Sequence, residues 1–262
     1  MAEAGMDYDD PEVRRIFFEL HSGLPREGPG SRACTARALS IAGALPAAPR
    51  VLDIACGPGM QTMDLAELLP GANIVALDNH APFLAELERR ARHSGAEGRV
   101  TTVRADMAAI PFPPGSFDLI WCEGAAYIIG FEKALRAWRP LLKPGGKLAL
   151  TEAAWLRPDP PDSLRRWWLE GYPGMSDVES CRKLVRDCGY ALLGDFVLPE
   201  SAWWNDYYDP IRARLAQLSP KHAGHPVWDA VLQDHETEID MYRRYASYYG
   251  YVFLVMQSGP AG

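Results

Sequence analysis

Between Arg50 and Trp155 the chain alternates short apolar runs with amphipathic stretches. RVLDIACG, ANIVALDN, RVTTVRAD, FDLIWCEG and KLALTEAAW read as strands. MQTMDLAELLP, APFLAELERRARHSG and GFEKALRAWRPLL read as helices between them, and KPGG as the turn into the last strand. The strand segments are continuous apolar runs, the pattern of strands covered on both faces. Strand–helix–strand alternation implies an α/β fold, a mainly parallel sheet with helices on both sides. Ligands of such sheets sit at the carboxyl ends of the strands.

Both flanks are more helical. Val13, Ile16, Phe17 and Leu20 predict an amphipathic helix over about Pro11 to Leu24, ended by the loop PREGPG. Ser31 is the expected N-cap of a second helix through Ala44. After Trp155 come the loop RPDPPD, a short helix in LRRWWLEGYP and a helix in SDVESCRKLVRDCG. Ser176 is its expected N-cap and Gly189 its stop. YALLGDFVLP and the late YGYVFLVMQ read as strands, with mostly helical sequence between them over SAWWNDYYDPIRARLAQL and 226–248.

Composition narrows the function. The formal charge is −7, which argues against a nucleic-acid binder, because such proteins need dense Lys and Arg contacts to phosphate. MAEAGMDYDD is acidic and lacks an apolar core, so no signal peptide is expected. No apolar run reaches the roughly 20 residues that span a bilayer, so no membrane role is expected. The five cysteines show no CxxC spacing and the histidines no HxxxH or HExxH. A reduced, cytoplasmic protein without a metal is the expectation.

VLDIACGPGMQT carries the first chemical signal. Gly57 and Gly59 make a strand-to-helix turn, but Thr62 stands where a dinucleotide fingerprint has its third glycine. Asp53 lies in the strand ahead of the turn, where a carboxylate is costly to bury without a donor. Asp78 ends the second strand, where a carboxylate can accept both hydroxyls of a ribose. Asp106 ends the third, where it can accept from an adenine amine. Together they bracket a ligand with an amino group, a ribose and an adenine, with no phosphate required.

This combination resembles the class I S-adenosylmethionine-dependent methyltransferases. The residues that carry the resemblance are VLDIACGPG, ALDN, RADMAAIPF, FDLIWCEGA and LKPGGKLALTE, covering about Arg50 to Glu152. Outside that core, GPGS, EGAAYIIGFE and YYGYVFLVM resemble one group of bacterial small-molecule methyltransferases. The resemblance implies a Rossmann-like seven-stranded sheet whose last strand inserts antiparallel beside YALLGDFVLP. It also implies a methyltransferase domain over 50–262, capped by N-terminal helices over 1–49, with helical lid segments at 156–175 and 200–248. S-adenosyl-L-methionine is the implied cofactor. Ala55, Gly57 and Gly59 would face its methionine part, with Asp53, Gln61 and Thr62 bordering that end. Asp78 would bind the ribose, Asn79 would lie against the adenine, and Asp106 with Met107 would read it. Glu123 would lie near the sulfonium.

Methyl transfer needs positioning and exclusion of water more than any universal catalytic group. Glu123, Tyr127 and His21 are the candidates for removing a proton. The acceptor pocket is expected among the added aromatics: Trp155, Trp167, Trp168, Tyr172, Trp203, Trp204, Tyr207, Tyr208 and Trp228. A small-molecule acceptor leads. A protein or peptide acceptor, a non-catalytic cofactor-binding module, a nicotinamide oxidoreductase and assembly as a homodimer stay open.

Overall fold

A computed structural model describes residues 10–259. The outer ends of the two predicted segments, 1–9 and 260–262, lie outside the described residues. The described chain begins with α1 (Pro11–His21) and α2 (Arg32–Ala42). The alternating region follows as β1 (Arg50–Ile54), α3 (Met60–Leu68), β2 (Asn73–Asp78), α4 (Ala81–His93), β3 (Val100–Arg104), β4 (Phe117–Cys122), α5 (Phe131–Trp138) and β5 (Leu142–Trp155). The remainder forms α6 (Asp162–Gly171), β6 (Ser176–Asp177), α7 (Val178–Asp187), β7 (Tyr190–Val197), α8 (Glu200–Trp203), a π turn, α9 (Asp209–Leu218), α10 (Pro226–Tyr245) and β8 (Tyr249–Ser258).

The main sheet runs in the order β3-β2-β1-β4-β5-β8-β7, and the two-residue β6 pairs with β5 off that path. β1 to β5 are parallel, whereas β8 is antiparallel to both β5 and β7. The chain reverses direction across the sheet between β1 and β4. A crevice opens at such a point beyond the strand ends.

Alternation along each strand separates two cores. Val51, Leu119, Trp121, Ala149 and Phe253 face one side, with Leu65 of α3, Leu87 of α4 and residues of α6, α8, α9 and α10. Leu52, Ile54, Ile120, Leu150 and Leu254 face the other, with Leu135 and Trp138 of α5 and Val185 of α7. Each fully buried aliphatic side chain contributes about 1.5–3 kcal/mol. That is why the strands tolerate so few polar residues.

The helix ends follow local chemistry. Ser31 accepts from the Cys34 amide at 3.2 Å, the expected cap of α2. α1 stops at His21, three residues earlier than periodicity predicts, and Gly23 follows at φ +85°. The cap of α7 is Asp177 rather than Ser176. Its carboxylate accepts from the Ser180 amide at 2.8 Å, while Ser176 is held in the β6 pairing with Ala154. Gly189, at φ +82°, follows the end of α7 as expected.

Candidate functional site

The turn after β1 is bent by three left-handed residues: Ala55 at φ +53°, Gly57 at φ +53° and Gly59 at φ +86°. A side chain at Gly59 would run into Leu87 of α4, so the turn packs directly on the neighbouring helix. Ala55 is the one non-glycine residue among the described residues in this conformation. Its Cβ carries a left-handed penalty of about 1 kcal/mol. Ala55→Gly should therefore raise stability by about 1 kcal/mol, read as a higher urea midpoint at unchanged slope.

Asp78 holds the turn to the end of β2. One carboxylate oxygen accepts from the Gly57 amide at 2.9 Å and the other from the His80 amide at 2.8 Å. Burial pushes this carboxyl up, and the two amides pull it back. Each oxygen retains a further lone pair for a ligand hydroxyl. A cavity of about 210 Å³ opens beside it, lined by Phe18, Ala55, Asp78, Asn79, Asp106, Met107 and Ile129. Asp106 turns the chain by accepting from the Ala108 amide at 2.8 Å, and Met107 is fixed by Trp138 Nε1 on its carbonyl at 3.1 Å.

Asp53 lies beneath the turn, fully buried. Thr62 Oγ1 donates to its Oδ2 at 2.5 Å, and Gln61 Nε2 donates to the Cys56 carbonyl at 2.9 Å. Asp53 Oδ1 is buried with no hydrogen-bond partner among the described residues. Burial raises this carboxyl to about 8. The unfolded chain ionises it near the ordinary value, so between those limits unfolding releases a proton. Stability should fall as pH rises from about 4 towards 8, and Asp53→Asn should flatten that fall. Urea midpoints near pH 5 and near pH 8 check this. Glu152, also raised to about 8 by burial, contributes in the same direction in both proteins.

The loop 24–30 straps the site. Arg26 is buried and bridges two carboxylates, with Nη2 on Asp64 Oδ2 at 2.5 Å and Nη1 on Glu123 Oε2 at 2.8 Å. Glu123 Oε1 accepts from Trp121 Nε1 at 2.8 Å and Thr35 Oγ1 at 3.3 Å. Glu123 is thus clamped through both oxygens. Arg90 of α4 holds the strap's Leu24 and Pro25 carbonyls, and the Gly30 amide donates to the Ala202 carbonyl at 3.1 Å. Gly30 is required because a side chain there would press on Glu123 and Arg26. Glu27, the next strap residue, lies over Gly57.

The aromatic candidates gather at the end of β5, in and beside α6, in and just after α8, and in α10, and none lines the cavity beside Asp78. Trp168, Trp203, Tyr207, Tyr208 and Trp228 are buried, and Trp155, Trp167 and Trp204 are partly buried. Trp203 stacks on Tyr242 at 4.1 Å, and Trp168 meets Tyr249 edge-on at 4.9 Å. Tyr172 donates to Glu152 Oε1 at 2.6 Å and meets Tyr127 edge-on at 5.6 Å. His21 is 3 % exposed, within 2.6 Å of Glu27 and 3.2 Å of His235.

Arg26, Glu27, Thr35, Glu152, His235 and Glu238 escape the sequence reading. Charged residues in a Pro/Gly loop look solvated, which hides Arg26 and Glu27. His235 and Glu238 carried a readable signal. They share the α10 stripe of Trp228, Val231, Ile239 and Tyr242, at helical spacing and all buried.

Residues 51–146 match the family described as methyltransferase domain. Over 111 residues the chain is 40% identical to a demethylmenaquinone methyltransferase of Thermus thermophilus, covering 42% of this chain and 50% of that protein. Over 105 residues it is 34% identical to a ubiquinone/menaquinone biosynthesis C-methyltransferase of Pseudomonas paraeruginosa, covering 39% of this chain and 41% of that one. The match thus spans half or less of these relatives' length. A crystal structure of an S-adenosylmethionine-dependent methyltransferase from Geobacter sulfurreducens, in complex with S-adenosyl-L-homocysteine, shares the fold. Its TM-score is 0.80 at 20% identity, over 94% of this chain and 98% of that one. Residues 51–146 thus match a methyltransferase domain, and the described chain shares the fold of a solved S-adenosylmethionine-dependent methyltransferase.

Proposed function

We propose that this chain is an S-adenosyl-L-methionine-dependent methyltransferase acting on a small-molecule acceptor. The carrying observation is that Asp78 and Asp106 line one cavity beside the glycine turn. Bound there, the cofactor supplies a methyl carbon already activated by a sulfonium. Asp78 binds the ribose, and Asp106 with the Met107 backbone and Asn79 binds the adenine. The orphaned Asp53 Oδ1 fits the methionine amine directly or through water. Ala55, Gly57 and Gly59 give the backbone surface for the methionine part, bordered by Gln61 and Thr62. Glu123, held by Arg26, supplies fixed negative charge at that end.

Thr62 counts against a nicotinamide cofactor. Its hydroxyl is committed to Asp53 where a pyrophosphate site needs a bare backbone. The quinone methyltransferases among the relatives support a small planar acceptor over a protein or peptide. Tyr127, Tyr172 and the lid tryptophans are the proposed acceptor walls. Among the described residues no helix is long and apolar enough to cross a membrane. The five buried cysteines carry no disulfide, which supports a reducing, cytoplasmic setting.

The test is transfer of labelled methyl from S-adenosyl-L-methionine into the small-molecule fraction of a bacterial extract. Label in a discrete small product, absent with heat-inactivated protein, is expected. Label in protein alone, or none, would contradict the reading.

A further inference from the structure

The cavity beside Asp78 reaches only one half of the site. It is lined by Asp78, Asn79, Asp106 and Met107, but of residues 55–59 by Ala55 alone. The strap covers the rest of the turn. A Cβ on Gly57 would come within 2.9 Å of Glu27 Cγ, and one on Gly28 within 3.9 Å of the Gly124 Cα just past β4. Arg26, between these contacts, fills the space from Asp64 of α3 to Glu123.

Three buried polar atoms around this covered half have no hydrogen-bond partner among the described residues: Arg26 Nε, Glu27 Oε1 and Asp53 Oδ1. The rest of each side chain is engaged and so held in place. Arg26 uses both Nη atoms on carboxylates. Glu27 Oε2 lies 2.6 Å from His21 Nδ1, and Asp53 Oδ2 accepts from Thr62 Oγ1 at 2.5 Å. The three residues share one neighbourhood. Asp53 feels the charges of Glu123 and Arg26, and Glu27 feels that of Asp78. Buried polar atoms left unpaired are costly, so each of the three calls for a partner.

Their chemistry says which partner. The guanidinium Nε only donates, and carboxylate oxygens accept. A positive donor beside two acidic acceptors matches a zwitterion, with its carboxylate at Arg26 and its ammonium between Glu27 and Asp53. Burial and the Asp78 carboxylate both resist ionisation of Glu27, and a bound ammonium offsets them. A ribose or an adenine presents no such pair of opposite charges.

We propose that the strap residues Arg26 and Glu27 clamp the α-amino-acid end of the cofactor. Arg26 Nε donates to its carboxylate. Glu27 Oε1 above the turn and Asp53 Oδ1 beneath it accept from its ammonium. The inference rests on the transferase reading above. As the strap lies, the three atoms are shut from solvent, so the amino-acid end enters with the strap raised and the strap then closes on it. Arg90 ties one end of the strap at the Leu24 and Pro25 carbonyls, and the Gly30 amide ties the other to the Ala202 carbonyl. Residues 26–29 are the part that moves.

Equilibrium dialysis of the full chain against four adenosyl ligands tests the clamp. Decarboxylated S-adenosylmethionine lacks only the carboxylate of the cofactor. 5′-Methylthioadenosine lacks the whole amino-acid end of S-adenosyl-L-homocysteine. Wild type should bind S-adenosyl-L-methionine at least about 10-fold tighter than its decarboxylated form. It should bind S-adenosyl-L-homocysteine at least about 100-fold tighter than 5′-methylthioadenosine. Glu27→Gln should lose about 10-fold for S-adenosyl-L-homocysteine and nothing for 5′-methylthioadenosine, whereas a merely structural role would weaken both alike. Arg26→Met combined with Asp64→Asn and Glu123→Gln leaves no buried charge unpaired, and it should bind the first pair equally. Hydrogen exchange of wild type needs no variant to fold. The strap amides should slow with S-adenosyl-L-homocysteine and not with 5′-methylthioadenosine. Equal binding within either pair by wild type, equal losses or no loss in Glu27→Gln, a retained carboxylate preference in the triple variant, or strap exchange indifferent to the amino-acid end would overturn the proposal. Binding of none of the four ligands would instead overturn the transferase reading.

Discussion

Asp78→Ala should weaken S-adenosyl-L-methionine binding by about 100-fold or more, equivalent to about 3 kcal/mol. Two effects add. The ribose loses a charged acceptor, worth about 1.5–3 kcal/mol per hydrogen bond. The turn also loses its anchor, because the Gly57 and His80 amides both donate to this carboxylate. Asp78→Asn separates the two. Its amide oxygen can still accept from one backbone donor, but it has no charge and one acceptor atom instead of two. It should fall between wild type and Asp78→Ala. Equilibrium dialysis with labelled cofactor measures both. Wild-type affinity in Asp78→Ala would remove the ribose assignment.

Arg26→Ala should cost about 3–5 kcal/mol of folding stability. The guanidinium is 3 % exposed and lies between Asp64, 10 % exposed, and Glu123, 5 % exposed. Deleting it strands two buried carboxylates, and burial already raises Asp64 to about 6. The strap would lose its inner anchor, while Arg90 still held the Leu24 and Pro25 carbonyls. Arg26→Lys should recover little, because an ammonium does not reproduce the planar fork that spans two carboxylates. Combining Arg26→Met with Asp64→Asn and Glu123→Gln should restore most of the loss, since no buried charge then lacks a partner. Urea midpoints test all three. A cost below about 1 kcal/mol for Arg26→Ala would mean that the triad is hydrated in solution.

The alternating core from Arg50 to Trp155 was legible because its periodicity and its packing agree. Continuous apolar strands need cover on both faces, and the two cores provide it. The glycine turn and Asp78 were legible because local backbone chemistry dictates both. The strap was not. Arg26 and Glu27 sit in a proline/glycine loop whose local sequence signals solvent, and only tertiary contact with Asp64, Glu123 and Gly57 buries them. The shift of the α7 cap from Ser176 to Asp177 has the same origin, since Ser176 is engaged by a strand 22 residues earlier in the chain. The histidine pair lay between these cases. The α10 stripe marked His235 as buried, but nothing local joined it to His21, 214 positions away.

Calorimetric titration of the wild-type protein with S-adenosyl-L-methionine, and separately with NAD, tests the central claim most directly. A phosphate-free adenosine site with Thr62 in place of a third glycine predicts saturable, one-to-one binding of the first and no heat of binding from the second. Binding of NAD with no binding of S-adenosyl-L-methionine would contradict it.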